Sequence, residues 1–264
     1  MRQLISIEWI KLKKLSAFTW IILLYMILLP LWMWVMNLWF GSINQQIAIM
    51  PDTKTLWSFP TVWRFVTYSG SYFNLFLSVL IVVLTTNEFS SRTMRQHVID
   101  GLTKRQVILS KFLVILGISI FVTFYAFLIG LIFGLTQSAK IDLYSNIHYV
   151  GLFFVQSLCY FSFAFLLSIL IKRSALSLII FYGVIILEFI VSFFIPQIVY
   201  AFFPFKNFAK LTPIPFLEQL VVGMEADMGE KIIQFDTWQV VSISLFFMML
   251  FYSISYWRLK KGDL

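Results

Sequence analysis

Charged residues divide this chain into long apolar runs. No Asp, Glu, Lys or Arg occurs between Lys14 and Asp52, Arg64 and Glu88, Lys111 and Lys140, Asp142 and Lys172, or Asp236 and Arg258. One further run, Ala175–Pro196, holds only Glu188. The hydrocarbon core of a bilayer is about 30 Å thick and takes roughly 20 apolar helical residues to cross, so each run is long enough to span. The runs are continuously apolar, whereas barrel strands alternate, so helices are expected. The pattern predicts an all-α polytopic membrane protein, a single transmembrane domain over residues 1–264. Its six spans are expected near Ser16–Phe40, Val66–Thr86, Phe112–Thr136, Ile147–Ile171, Ala175–Pro196 and Trp238–Trp257.

An even number of spans puts both termini on one side. That side holds fourteen of the twenty basic residues: Arg2, Lys11, Lys13, Lys14, Arg92, Arg95, Lys104, Arg105, Lys111, Lys172, Arg173, Arg258, Lys260 and Lys261. The other side keeps Lys54, Arg64, Lys140, Lys206, Lys210 and Lys231, diluted by seven acids. The positive-inside rule then predicts cytoplasmic termini in a plasma (inner) membrane. Basic residues at membrane ends attract anionic lipid headgroups, so the net charge of +8 calls for membrane lipids and no nucleic acid. The first apolar run is too long for a signal peptide and is expected to be retained. Cys159 is the only cysteine, which excludes an intrachain disulfide.

Two segments on the basic side carry pattern of their own. Residues 1–15 set Leu4, Ile7, Leu12 and Leu15 at roughly helical spacing among Glu8, Trp9, Lys11 and Lys14. This predicts an amphipathic interfacial helix leading into the first span; the plainer reading is a basic flank that only sets topology. Between spans 2 and 3, Asp100-Gly101 predicts a turn, and Thr103 with Gln106 has capping-box spacing. A helix should start near Thr103 and run through Lys111 into the third span. Before the turn, Met94 and Val98 lie one helical turn apart among Arg92, Arg95, Gln96 and His97. A short helix that is part apolar and part basic suits a docking surface for a soluble partner, with a lipid-facing linker as the alternative.

These features resemble the permease subunit of ATP-binding-cassette (ABC) transporters of the type-2 exporter class. The resemblance rests on Glu88 at the end of span 2, then Ser91-Arg92-Thr93, the Asp100-Gly101 turn, Thr103, Arg105 and Lys111. Glu8-Trp9-Ile10-Lys11-Leu12-Lys13-Lys14 is similar to the family's amphipathic connecting helix. The resemblance implies that Arg92–Asp100 forms a cytoplasmic coupling helix seated on a separate ABC ATPase subunit. Glu88, Arg92, Thr93, Arg95, His97, Asp100, Gly101 and Arg105 would then be the coupling residues. It also implies a second permease copy or paralogue, with ATP and Mg bound by the partner and no cofactor on this chain.

On the far side, Pro196–Trp238 is too broken by proline to span and too apolar to float, so short re-entrant helices are expected there. Its acids Glu225, Asp227 and Glu230 lack the ligand spacing of a calcium loop. Trp32, Trp34, Trp39, Leu56, Trp57, Phe59, Val62, Trp63 and Phe65 suggest an aromatic belt at the interface, with Trp238 and Trp257 bracketing the last span. Tyr68-Ser69-Gly70-Ser71-Tyr72 and Asn74 suit close helix packing or the lining of a path. Glu188, the one ionisable group within a predicted span, is either a coupling group or a structural hydrogen-bonded one. A proton- or ion-coupled carrier built on Glu188, or a membrane anchor for an ATPase complex, are the competing functions. No phosphate-loop sequence G-x-x-x-x-G-K-[ST] occurs, so ATPase activity is expected on a partner rather than here. His97 and His148, the only histidines, fall on opposite sides, so no metal site is expected.

Overall fold

The computed structural model describes residues 8–13, 15–44, 57–91, 93–99, 101–138, 142–215 and 235–261. All regular structure among them is helical. In chain order the helices are α1 (8–13), α2 (Ser16–Asn44), α3 (Thr61–Ser90), α4 (Thr93–Ile99) and α5 (Lys104–Gln137). They continue as α6 (His148–Ile171), α7 (Ser174–Val191), α8 (Gln197–Tyr200), α9 (Pro204–Lys210) and α10 (Thr237–Lys261). Six of them, α2, α3, α5, α6, α7 and α10, are long and apolar enough to cross a membrane, as the sequence pattern predicts.

Local chemistry sets several of the boundaries. Thr103 Oγ1 accepts the Gln106 backbone N–H at 3.3 Å, and Gln106 Oε1 accepts the Thr103 N–H at 2.9 Å. This capping box starts α5, which then runs 34 residues without a break. Gly101 before it has φ +97°, a left-handed conformation that glycine adopts without steric cost. α7 stops at Val191, short of the expected Pro196: a residue preceding proline disfavours helical geometry, and turns over 192–194 end the helix first. α3 extends past its apolar run at both ends, from Thr61 to Ser90.

The bundle is built around α6, whose spanning window is 78% buried, against 17% for α2 and α7. Apolar helices gain little from each other in lipid beyond close packing and hydrogen bonds, so small residues matter at their contacts. On α3, an added Cβ at Gly70 would stand 2.8 Å from Phe153 Cζ of α6, and Asn74 Nδ2 donates to Ser157 Oγ at 2.9 Å. On α5, Gly130 and Gly134 form the notch into which α3 and its leading segment pack. An added Cβ at Gly130 would meet Trp63 Cζ3 at 2.9 Å, and one at Gly134 would run into the Phe59 ring.

That notch corrects one expectation. Trp57, Phe59 and Trp63 are buried in the core and are not lipid-facing anchors. Trp63 stacks on Phe127 and donates its indole N–H to the Leu143 carbonyl at 3.1 Å. Trp34, Trp39, Trp238 and Trp257 remain exposed, as a belt requires.

Candidate functional site

One end of the bundle gathers α1, α4, the end of α3, the start of α5 and the end of α10. Lys104 at the head of α5 donates to the Lys260 carbonyl of α10 at 3.2 Å. Lys172, in the link from α6 to α7, lies 5.2 Å from the ring centroid of Phe89. Four charged side chains meet in the middle of this end. Glu8 comes from α1, Glu88 from the last turn of α3 and Lys111 from the second turn of α5; Lys11 follows Glu8 by one turn.

Lys111 Nζ donates to both carboxylate oxygens of Glu8 at 2.7 Å and also hydrogen-bonds Glu88 Oε1. Lys11 Nζ reaches Glu88 Oε1 at 3.1 Å and stands 3.8 Å from Glu8 Oε1. Ser110 Oγ adds a bond to Glu8 Oε1 at 3.0 Å. Glu8, Glu88 and Lys111 are all buried. Burial alone would raise the Glu8 carboxyl, but the charge and hydrogen bonds of Lys111, with Lys11 and Ser110, hold it below its ordinary value. Two carboxylates and two ammonium groups leave the cluster formally neutral, the condition under which buried charge is tolerable. Glu88 Oε2 is buried with no hydrogen-bond partner among the described residues.

The cluster shows which way α1 faces. Glu8 and Leu12 turn inward, whereas Trp9 and Ile10 are exposed. α4 hangs from the same end. Thr93 Oγ1 donates to the Glu88 carbonyl at 3.3 Å, its hydroxyl lies 3.2 Å from that of Ser91, and Met94 is buried. Arg95 and His97 are carried on α4, Gly101 forms the turn after it, and Arg105 is exposed in the first turn of α5. Lys14, Arg92 and Asp100 lie outside the described residues. The sequence named Glu8, Glu88 and Lys111 separately. Their convergence was signalled only by Lys111, a cation at the head of an apolar run that needs anions within reach.

Glu188 lies at the opposite end, at the close of α7. Its Oε1 accepts the Lys206 backbone N–H at 2.8 Å and its Oε2 the Phe205 N–H at 3.2 Å, so it caps α9 from a distance. Gln156 of α6 anchors the same segment, donating to the Phe208 carbonyl and Thr212 Oγ1, both at 2.8 Å. Asn207 Nδ2 donates to the Ala201 and Phe203 carbonyls at 2.8 and 2.7 Å. Burial lowers the Lys206 and Lys210 ammonium groups from their usual range. Residues 216–234, with Glu225, Asp227 and Glu230, fall outside the described residues. His148 opens α6 at this end, away from α4 and His97. No group of three His, Cys, Asp or Glu side chains that could hold a metal occurs among the described residues.

A comparison with curated proteins finds no match. A comparison with protein families does: the ABC-2 family transporter protein matches residues 38–264, from the end of α2 onward, so α1 with Glu8 and Lys11 precedes the matched part. Six membrane-length helices and a family match over most of the sequence lead to one statement: the chain belongs to the ABC-2 transporter family, as an integral membrane permease.

Proposed function

We propose that this permease is the membrane part of an exporter driven by a separate ABC ATPase subunit, which holds ATP and Mg and docks on α4. The observation that carries the reading is the Glu8–Lys111–Glu88–Lys11 cluster beside α4. A docking helix on a loose connector would absorb a push. Here the helices on either side of α4 are joined by buried ion pairs, and Thr93 ties α4 to the carbonyl of Glu88 itself. Load on α4 therefore passes into two spans. Arg92, Arg95, His97 and Arg105 supply the basic surface for the partner, while Trp9 and Ile10 of α1 dip into lipid.

The excess of basic residues at this end supports a cytoplasmic position for it and for both termini, in a plasma (inner) membrane. α6 fills the middle of the bundle, so the transport path forms against a second permease copy or paralogue. A carrier would need Glu188 free to exchange protons, and its engagement with two backbone N–H groups supports a capping role instead.

The test is purification of the tagged chain from native membranes in mild detergent, with mass spectrometry of what accompanies it. A partner bearing a phosphate-loop motif is expected, and Arg92→Glu with Arg95→Glu should release it without lowering the melting temperature. Full retention of the partner in that variant counts against the docking surface. Transport by the chain alone, in energised vesicles without ATP, would overturn the permease reading altogether.

A further inference from the structure

The Tyr68-Ser69-Gly70-Ser71-Tyr72 segment of α3 faces two ways. Gly70 packs on Phe153 of α6. Tyr68, Ser69 and Tyr72, with Phe65, look the other way into a cleft whose opposite wall is Trp32 and Trp39 of α2. Trp32 and Trp39 are seven positions apart and share a helix face, while Trp34 is directed elsewhere; all three are exposed. An interfacial belt accounts for each tryptophan singly; the convergence of rings from two helices on one volume asks for a further explanation.

The cleft measures about 580 Å³, within the range of roughly 300–1,000 Å³ typical of small-molecule sites. Its wall is almost wholly aromatic and contains no carboxylate or ammonium group. The Tyr68 and Tyr72 hydroxyls hydrogen-bond each other and their rings meet edge to face at 5.2 Å between centroids, so the pair presents aromatic surface rather than a free hydroxyl. The Ser69 hydroxyl is turned into the protein, buried and with no hydrogen-bond partner among the described residues. Arg64, the neighbouring basic residue, lies over the Tyr149 ring at 5.1 Å, on the α6 side.

Aromatic faces carry negative potential, and several rings about one volume form the cage that holds quaternary cations in other proteins. We propose that this cleft binds a lipophilic cation, gripped by the rings of Trp32, Trp39, Phe65, Tyr68 and Tyr72, and that such a molecule is the permease's substrate. The second clause rests on the transport reading above; the binding site does not.

Tetraphenylphosphonium and tetraphenylborate share size and shape and differ in the sign of charge, which makes them the probes. Equilibrium dialysis uses the full chain in lipid nanodiscs, without ATP or partner, and subtracts uptake by empty nanodiscs. The phosphonium should bind the protein and the borate should bind at least tenfold more weakly. Trp39→Leu with Tyr72→Leu should weaken phosphonium binding roughly tenfold, while Tyr72→Phe, which keeps the ring, should retain it. Tyr72 is 53% exposed, so the single pair Tyr72→Leu and Tyr72→Phe decides the matter even if the double variant folds poorly. Equal binding of the two probes, no binding, or binding indifferent to these changes overturns the proposal and leaves an apolar cleft for lipid or a second copy. Because no ATPase is present, a failure here says nothing against the docking of one, and a failed co-purification leaves this result standing.

Discussion

The two ends of the bundle bury acids in different ways. At the α1–α4 end, Glu8 is answered by Lys111 of α5, and Glu88 by Lys111 and by Lys11 of α1, all side chains from other helices. At the opposite end, Glu188 is answered by backbone N–H groups at the head of α9. Side-chain cations shared between carboxylates tie several helices to one another, while a carboxylate bonded to backbone amides fixes one short segment in one pose. The first arrangement suits an end that passes load from helix to helix, and the second suits an end that holds a local shape.

Removing the shared cation should break the contrast most strongly. Lys111→Met leaves two buried carboxylates with Lys11 as the one remaining cation of the cluster and should cost about 3–5 kcal/mol, read from unfolding of the purified chain. Adding Glu8→Gln and Glu88→Gln should restore most of the loss; a Lys111→Met variant that unfolds like the parent would show that the cluster does not hold this end. Glu188→Gln should cost less, about 1–3 kcal/mol, because one of the two bonds to α9 survives with a neutral acceptor. Its effect should be local: amide exchange at Phe205 and Lys206 should quicken while partner co-purification stays intact. Acid titration should give the smallest effect. The Glu8 carboxyl is depressed in the folded state, so its contribution is fully present above its ordinary value of 4.5 and is lost as pH falls through the lower folded value. Melting curves taken at falling pH should show that loss, and Glu8→Gln should flatten it.

Much of this architecture is legible in the charge pattern, since the absence of ionisable groups over a membrane thickness leaves helices as the available solution. The α5 start is legible too, because a capping box is local chemistry between Thr103 and Gln106. Tertiary pairing is where the pattern falls short. An amphipathic reading of α1 counts Glu8 as polar and turns it outward, whereas Lys111 on a distant helix draws it in. Trp57, Phe59 and Trp63 have the composition of an interfacial belt, yet they are core residues: Phe59 and Trp63 because glycines far along the chain make room for them, Trp57 because it packs on Phe65 and Phe133. The spacing Gly130-x-x-x-Gly134 was the available clue: small residues one turn apart let a neighbour approach closely.

Fastenings at Lys111 and at the glycine notch have a joint consequence. α3 and α5 are held to each other by ions near one end and by rings seated on Gly130 and Gly134 near the other, about 35 Å away along α5. Two bolts that far apart forbid scissoring, so the pair behaves as a single stiff plank with α4 as its handle. Its neighbours α2 and α7 are largely exposed, so they can shift against the plank with the least loss of buried surface.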